Sequence, residues 1–94
     1  MKTGIWKVTL KEGQREAFID SYDIFKEGTG FIDCKFYPII GDANILFAVE
    51  TWESDEAHQA FMGSMTKETM WELFSRIDGR PEAYDCEIGK VVAK

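Results

Sequence analysis

Basic residues are scarce in this chain. Lys and Arg number 11 against 17 Asp and Glu, a net charge of −6. Phosphate binding needs clustered cations, so the balance argues against nucleic acid as a partner. It argues equally against an anionic membrane surface. The acidity itself reads as ordinary solubility. No apolar run is long enough to span a bilayer. The opening Met1-Lys2-Thr3-Gly4-Ile5-Trp6-Lys7 turns polar too soon for a secretory signal core. Cysteine is limited to Cys34 and Cys86, far apart and in no Cys-x-x-Cys pair. They read as reduced, partly buried thiols of a cytoplasmic protein, with a disulfide or a reactive thiol as the alternatives. Histidine occurs once, as His58, and no His-Glu-x-x-His spacing is present, so no metal site is expected. Gly28-Thr29-Gly30 is too short for a phosphate loop and follows a helix rather than a strand. No serine sits in a Gly-x-Ser-x-Gly elbow.

What is present suffices for one core. The 94 residues are 45% hydrophobic and 14% aromatic. A chain of this length buries roughly two thirds of the surface it exposes when unfolded. Residues 1–94 therefore read as a single domain that needs no disulfide or metal.

Periodicity gives the order of elements. Residues 5–10 alternate Trp6, Val8 and Leu10 with Ile5, Lys7 and Thr9, the two-residue period of a strand. Residues 14–27 read as one helix, with Phe18, Tyr22 and Phe25 on one face and Gly28 as its stop. Residues 31–39 form a second strand, with Ile32, Cys34 and Phe36 opposed to Phe31, Asp33, Lys35 and Tyr37. Pro38 marks it as an edge, because proline cannot donate a ladder hydrogen bond. Gly41-Asp42-Ala43-Asn44 is turn chemistry, which makes a hairpin with a third strand at 45–53. Ser54 then caps a helix, with Asp55 and Glu56 complementing its dipole. Thr66 caps a further helical piece carrying the stripe Met70, Leu73, Phe74 and Ile77, ended by Gly79 and Pro81. Residues 82–93 read as the last strand.

The order β-α-β-β-α-β, with its second helix split, specifies an α+β class. It is a ferredoxin-like, four-stranded antiparallel sheet with helices on one face. A sheet covered on one side leaves its other face for a partner. Two such sheets can close face to face into a dimeric α+β barrel that hides both faces and protects their edges.

The strand-to-helix junction Glu50-x-Trp52-x-Ser54-x-Glu56-Ala57, with the element order and length, resembles the antibiotic biosynthesis monooxygenase family of dimeric α+β barrels. Lys11-Glu12-Gly13-Gln14-Arg15-Glu16-Ala17-Phe18 is similar to that family's first strand-to-helix turn, and Gly30-Phe31 to its entry into the second strand. The resemblance implies a homodimer joined through sheet faces and edges, with a pocket in each subunit between the sheet and its own helices. It implies oxidation of a small aromatic or quinol compound by molecular oxygen, without metal or flavin. A non-catalytic dimeric domain that binds a small ligand or serves assembly is the alternative. Members often carry a histidine about ten residues after the tryptophan. That position is Met62 here, and His58 lies one turn earlier on the same helical face.

Seven residues are the site candidates. His58 titrates near neutral pH and is suited to removing a phenolic proton. Trp52 is suited to plugging the gap beneath a helix, to walling a flat substrate, or to both. Glu50 shares the strand face of Trp52. If buried, its carboxylate needs a partner or an altered pKa. A Lys or Arg on a neighbouring strand is one such partner, and a role in the pocket is another. Tyr22, Phe61, Met62 and Trp71 are candidates for the substrate walls, although their helical spacing also fits plain core packing.

Overall fold

The computed structural model describes residues Met1–Lys94. Four strands, β1 (Lys2–Thr9), β2 (Phe31–Ile39), β3 (Asp42–Trp52) and β4 (Glu82–Glu87), form one antiparallel sheet in the order β2-β3-β1-β4. Helices α1 (Arg15–Asp20), α2 (Asp55–Ser64) and α3 (Lys67–Phe74) complete the β-α-β-β-α-β order, with the second helix in two pieces as its caps foretell. Ser54 Oγ accepts from the Ala57 N–H at 3.1 Å, and Thr66 Oγ1 accepts from the Thr69 N–H at 3.1 Å. Each such cap is worth about 1 kcal/mol. No helix is long and apolar enough to cross a membrane.

The alternation along β3 decides which face is the core. Leu46, Ala48, Glu50 and Trp52 are buried beneath the helices, while Ile45, Phe47, Val49 and Thr51 point the other way. Val8 and Leu10 join the core from β1, and Phe18, Tyr22, Phe25, Leu73 and Ile77 close it from the helical side. The opposite face carries Ile5, Phe47, Val49, Tyr37 and Tyr84 in adjacent register positions. No helix covers it. Pro38 lies, as expected, on an edge strand.

Four local readings need correction. The first helix is not uniform: after Asp20 it tightens into a 3-10 helix, Ser21–Glu27. Residues three apart eclipse in that geometry, and the rings of Tyr22 and Phe25 stack at 4.3 Å with planes 17° apart. In β2 the register jumps between Phe31 and Asp33, leaving Ile32 without a partner on β3. This bulge turns Phe31 to the core side with Cys34 and Phe36, and leaves Ile32 exposed. The hairpin turn is tighter than read, because Asp42 already pairs with Ile39 and only Ile40 and Gly41 connect the strands, Gly41 at φ +92°. Finally, β4 stops at Glu87 rather than continuing to residue 93. Glu87 pairs with Lys2, the first residue of β1, so the ladder has nothing left to run along.

Cys34 lies on β2 and Cys86 on β4, the two outer strands of the sheet. Three inter-strand spacings of ~4.8 Å separate those strands, about twice the reach of a disulfide. Both thiols are free.

The exit of the 3-10 helix is pressed against α2 and the end of β3. A Cβ on Gly28 would come 2.8 Å from Phe61 Cδ1 and 3.0 Å from Trp52 Cη2. The Gly28 backbone, at φ −73° and ψ 126°, suits any residue. Gly28→Ala is therefore a purely steric probe. We expect it to cost about 1–3 kcal/mol, the usual range for overpacking, as a lowered urea midpoint. An unchanged midpoint would mean that the Phe61 and Trp52 rings yield freely.

Candidate functional site

The two-residue period of β3 carries Glu50 and Trp52 to the same buried face, both 0% exposed. The neighbouring strands set what surrounds them. Gly4 of β1 and Cys34 of β2 are the register partners of Glu50. Gly4 leaves open the space under His58, whose Cε1 would stand 3.9 Å from a Cβ added there. Tyr22 descends from the 3-10 helix, and His58 from the first turn of α2.

These groups form a connected cluster. The Trp52 Nε1–H donates to Glu50 Oε1 at 3.1 Å, and the Tyr22 hydroxyl donates to Glu50 Oε2 at 3.2 Å. His58 stacks on Trp52 with centroids 5.1 Å apart and planes 26° from parallel. Its Nε2 lies 3.7 Å from Glu50 Oε1, too far for a hydrogen bond. Neither ring nitrogen has a hydrogen-bond partner. Phe61 also packs here, 5.4 Å from Trp52 and 4.9 Å from Phe25.

Electrostatics follow from burial. Desolvation raises the Glu50 pKa above the usual carboxylate range, against the donors from Trp52 and Tyr22 and the charge of Lys2. Desolvation, and then the Glu50 charge, push the Tyr22 phenol well above its ordinary value. His58 moves the other way: burial and then the Lys2 ammonium lower its pKa, against Asp85 and Asp55. Burial works against the charge of Lys2. Its bonds to Asp55 and Asp85 outweigh that and raise its pKa. Cys34 is pushed up to about 12 by burial and by Glu50 and Asp33. It stays a thiol and is no nucleophile at neutral pH.

A cleft of about 450 Å³ opens between β2 and the 3-10 helix. Tyr22, Phe31, Ile32 and Cys34 supply its apolar lining, with Asp23, Lys26 and Asp33 as the polar members. Lys26 pairs with Asp23 at 3.3 Å. Of the cluster formed by Tyr22, Glu50, Trp52 and His58, only Tyr22 also lines a cavity.

The sequence candidates thus divide. Glu50, Trp52, His58, Tyr22 and Phe61 are brought together. Met62 packs at the edge of the core. Trp71 is not part of the site: it is 74% exposed on α3. It lies two positions, some 200° of helix rotation, from the buried Leu73, which turns it outward. Glu50 takes its hydrogen bonds from Tyr22 and Trp52, while Lys2 on the neighbouring strand β1 acts on it through charge without an ion pair. Two contributors were missed. Lys2 is 6% exposed and bridges Asp55 and Asp85 beside His58. The strand signal was read from Ile5 onward and so left it out. Cys34 stands opposite Glu50, which a count across the hairpin misses: the register shifts between Pro38 and Ile39, and counting on from the Ile39–Asp42 pair would set Cys34 against Phe47. No group of three or more His, Cys, Asp and Glu is arranged to hold a metal.

The single histidine makes the electrostatics directly readable. With its native pKa below 6.5, the unfolded chain binds the extra proton as pH falls through 6.5. His58 therefore adds stability at higher pH that is lost as pH drops from 6.5 towards the native value. Glu50 acts in the opposite sense: its raised pKa makes stability fall as pH rises from 4.5 towards the native value. We expect the His58 proton resonances of the native protein to titrate with a midpoint below 6.5. A midpoint at or above 6.5 would contradict the buried, neutral ring. Urea unfolding of Glu50→Gln should show the variant gaining on the wild type as pH rises above 4.5.

The architecture is shared with solved structures. SnoaB, a cofactor-independent oxygenase from Streptomyces nogalater, superposes with a TM-score of 0.84 at 11% identity, over 99% of this chain and 97% of that one. A conserved protein from Methanosarcina mazei Go1 superposes with a TM-score of 0.72 at 21% identity, over 90% of this chain and 89% of that one. At these identities the likeness is one of fold. No curated protein matches the chain in sequence. The sequence model described as antibiotic biosynthesis monooxygenase matches residues 3–70, most of the chain, and on that match the chain belongs to the antibiotic biosynthesis monooxygenase family.

Proposed function

We propose that this protein is a cofactor-independent monooxygenase acting on a small aromatic or quinol substrate. The observation that carries the reading is the cleft beside Tyr22. Its volume of about 450 Å³ lies within the ~300–1,000 Å³ typical of small-molecule sites. Phe31 offers an aromatic wall to a flat molecule there, and Tyr22 lines the cleft beside it.

The chemistry needs little from the protein. Removing the proton of a phenol gives an electron-rich anion that can reduce dioxygen directly. One oxygen atom enters the ring as a carbonyl, and the other leaves as water with the two hydrogens lost from the phenol. The base function is assigned to the buried Glu50, with His58, 3.7 Å away, as the group that orients it. Trp52 holds the carboxylate and supports the imidazole by stacking. Proton removal by a positioned group contributes typically 10²–10⁴-fold. The exposed apolar face of the sheet supports a homodimer, closed face to face in a barrel. Free, unpaired Cys34 and Cys86 accord with a reducing, cytoplasmic setting.

A second reading has its own observation. Trp52 is 0% and His58 6% exposed, and neither lines a cavity. This favours a dimeric binding domain in which Trp52 and His58 serve packing and the cleft holds a ligand without turnover.

Oxygen uptake with a panel of hydroquinones and hydroxynaphthalenes separates the two. The monooxygenase reading expects uptake above the protein-free rate, a product one oxygen atom richer, and a loss of about tenfold or more in His58→Ala. Binding of a panel member without uptake would establish the second reading. Full activity in His58→Ala would remove His58 from the reaction. For the assembly, we expect sedimentation of a dimer at micromolar concentration, and a monomer there would sink the barrel.

A further inference from the structure

The geometry points to a two-step proton relay in which a phenol bound in the cleft passes its proton to Tyr22 while Tyr22 passes its own to the buried Glu50. The inference rests on the phenolic substrate proposed above and names the route and the acceptor. Glu50 has no exposed surface, so nothing in the cleft can touch it. Tyr22 is the only one of its neighbours in the cluster that also lines a cavity, and its hydroxyl already donates to Glu50 Oε2 at 3.2 Å. A phenol oxygen has two lone pairs besides its proton. Tyr22 can therefore accept from a substrate on one side while donating on the other.

Alternative routes are closed by the same neighbourhood. Cys34 also lines the cleft and stands opposite Glu50. A thiol is only a weak hydrogen-bond donor and acceptor, so it makes a poor link. The His58 imidazole has no hydrogen bond to Glu50 or to any other group. The remaining bond on the carboxylate comes from the Trp52 Nε1–H at 3.1 Å. That group is a donor only. It fixes the carboxylate and cannot take a proton from it. The carboxylate thus has one proton-bearing connection outward, through Tyr22.

The step balances. The substrate O–H bond breaks and a new Tyr22 O–H forms. The old Tyr22 O–H breaks and a Glu50 Oε2–H forms. The substrate is left as a phenolate, Tyr22 is neutral before and after, and the negative charge has moved from Glu50 into the cleft. Burial brings the acidity of Glu50 towards that of a phenol, as efficient proton transfer requires. Reversal of the same two transfers returns the proton to the reduced oxygen that leaves as water. Tyr22 is the group that touches substrate, and Glu50 acts through it.

The test uses para-nitrophenol, whose ionised form absorbs in the visible. One pH unit below its own pKa, the free probe is roughly one-tenth ionised. Bound to the wild-type protein at that pH, it should be about threefold more ionised or better. The excess should vanish on acidification as Glu50 takes up its own proton from solvent. In Tyr22→Phe and in Glu50→Gln the probe should still bind, with ionisation no greater than in free solution. Near-ultraviolet circular dichroism checks that the aromatic packing is retained. If Glu50→Gln fails to fold, Tyr22→Phe decides alone, since it removes one oxygen and keeps the ring. An ionised excess that persists in Tyr22→Phe overturns the relay while leaving the phenol-binding reading intact. Failure of the wild type to bind the probe overturns both.

Discussion

A carboxylate with no exposed surface is the constraint around which this fold is arranged. An ionised group placed in a protein interior is unfavourable by several kcal/mol unless hydrogen bonds and compensating charge replace its lost water. Glu50 obtains them from three directions. Trp52 donates from the same strand, Tyr22 from the first helical layer, and Lys2 contributes positive charge from the adjacent strand. The strand register, the tightening of the first helix at Ser21 and the burial of Lys2 between Asp55 and Asp85 all meet at this one group.

The same arrangement explains the aromatic content of the core. His58 stacks on Trp52, and Phe25, Phe31 and Phe61 approach it at tilted or edge-on angles. Indole and phenol groups can supply a polar atom to the carboxylate and an apolar surface to everything else. An aliphatic core would leave Glu50 unpartnered. The cluster is therefore the packing centre and holds the one carboxylate residue that is fully buried.

Much of this was legible in the sequence, and the reasons are physical. Strands β1 and β3 announce themselves by strict alternation, the edge position of β2 by Pro38, and the split helix by the capping residues Ser54 and Thr66. The proximity of Glu50 and Trp52 follows from the period of a strand, and that of Tyr22 from its place on a helix face. What was not legible depends on events with no local signature. The bulge at Ile32 inverts the face of Phe31, and nothing in Phe31-Ile32-Asp33 marks it. The 3-10 winding is stabilised by ring stacking that exists only once the chain has folded. Lys2 becomes a buried cation only because Asp55 and Asp85, from remote segments, converge on it. Trp71 is the converse case. Its place at the margin of the helical stripe suggested a pocket wall, but the helix phase set by Leu73 points it to solvent.

The two glycines flanking Thr29 set a mechanical property of the cleft. A Cβ at Gly28 would strike Phe61 and Trp52, and one at Gly30 would strike the Ala57 side chain at 2.7 Å. The Gly30 carbonyl also accepts from the Glu53 N–H at 2.7 Å. The segment joining the two walls of the cleft is thus riveted to the start of α2 and behaves like the closed end of a pair of tongs. Any change in the width of the cleft must come from its two walls, lined by Asp23 and Lys26 on the 3-10 helix and by Asp33 and Cys34 on β2.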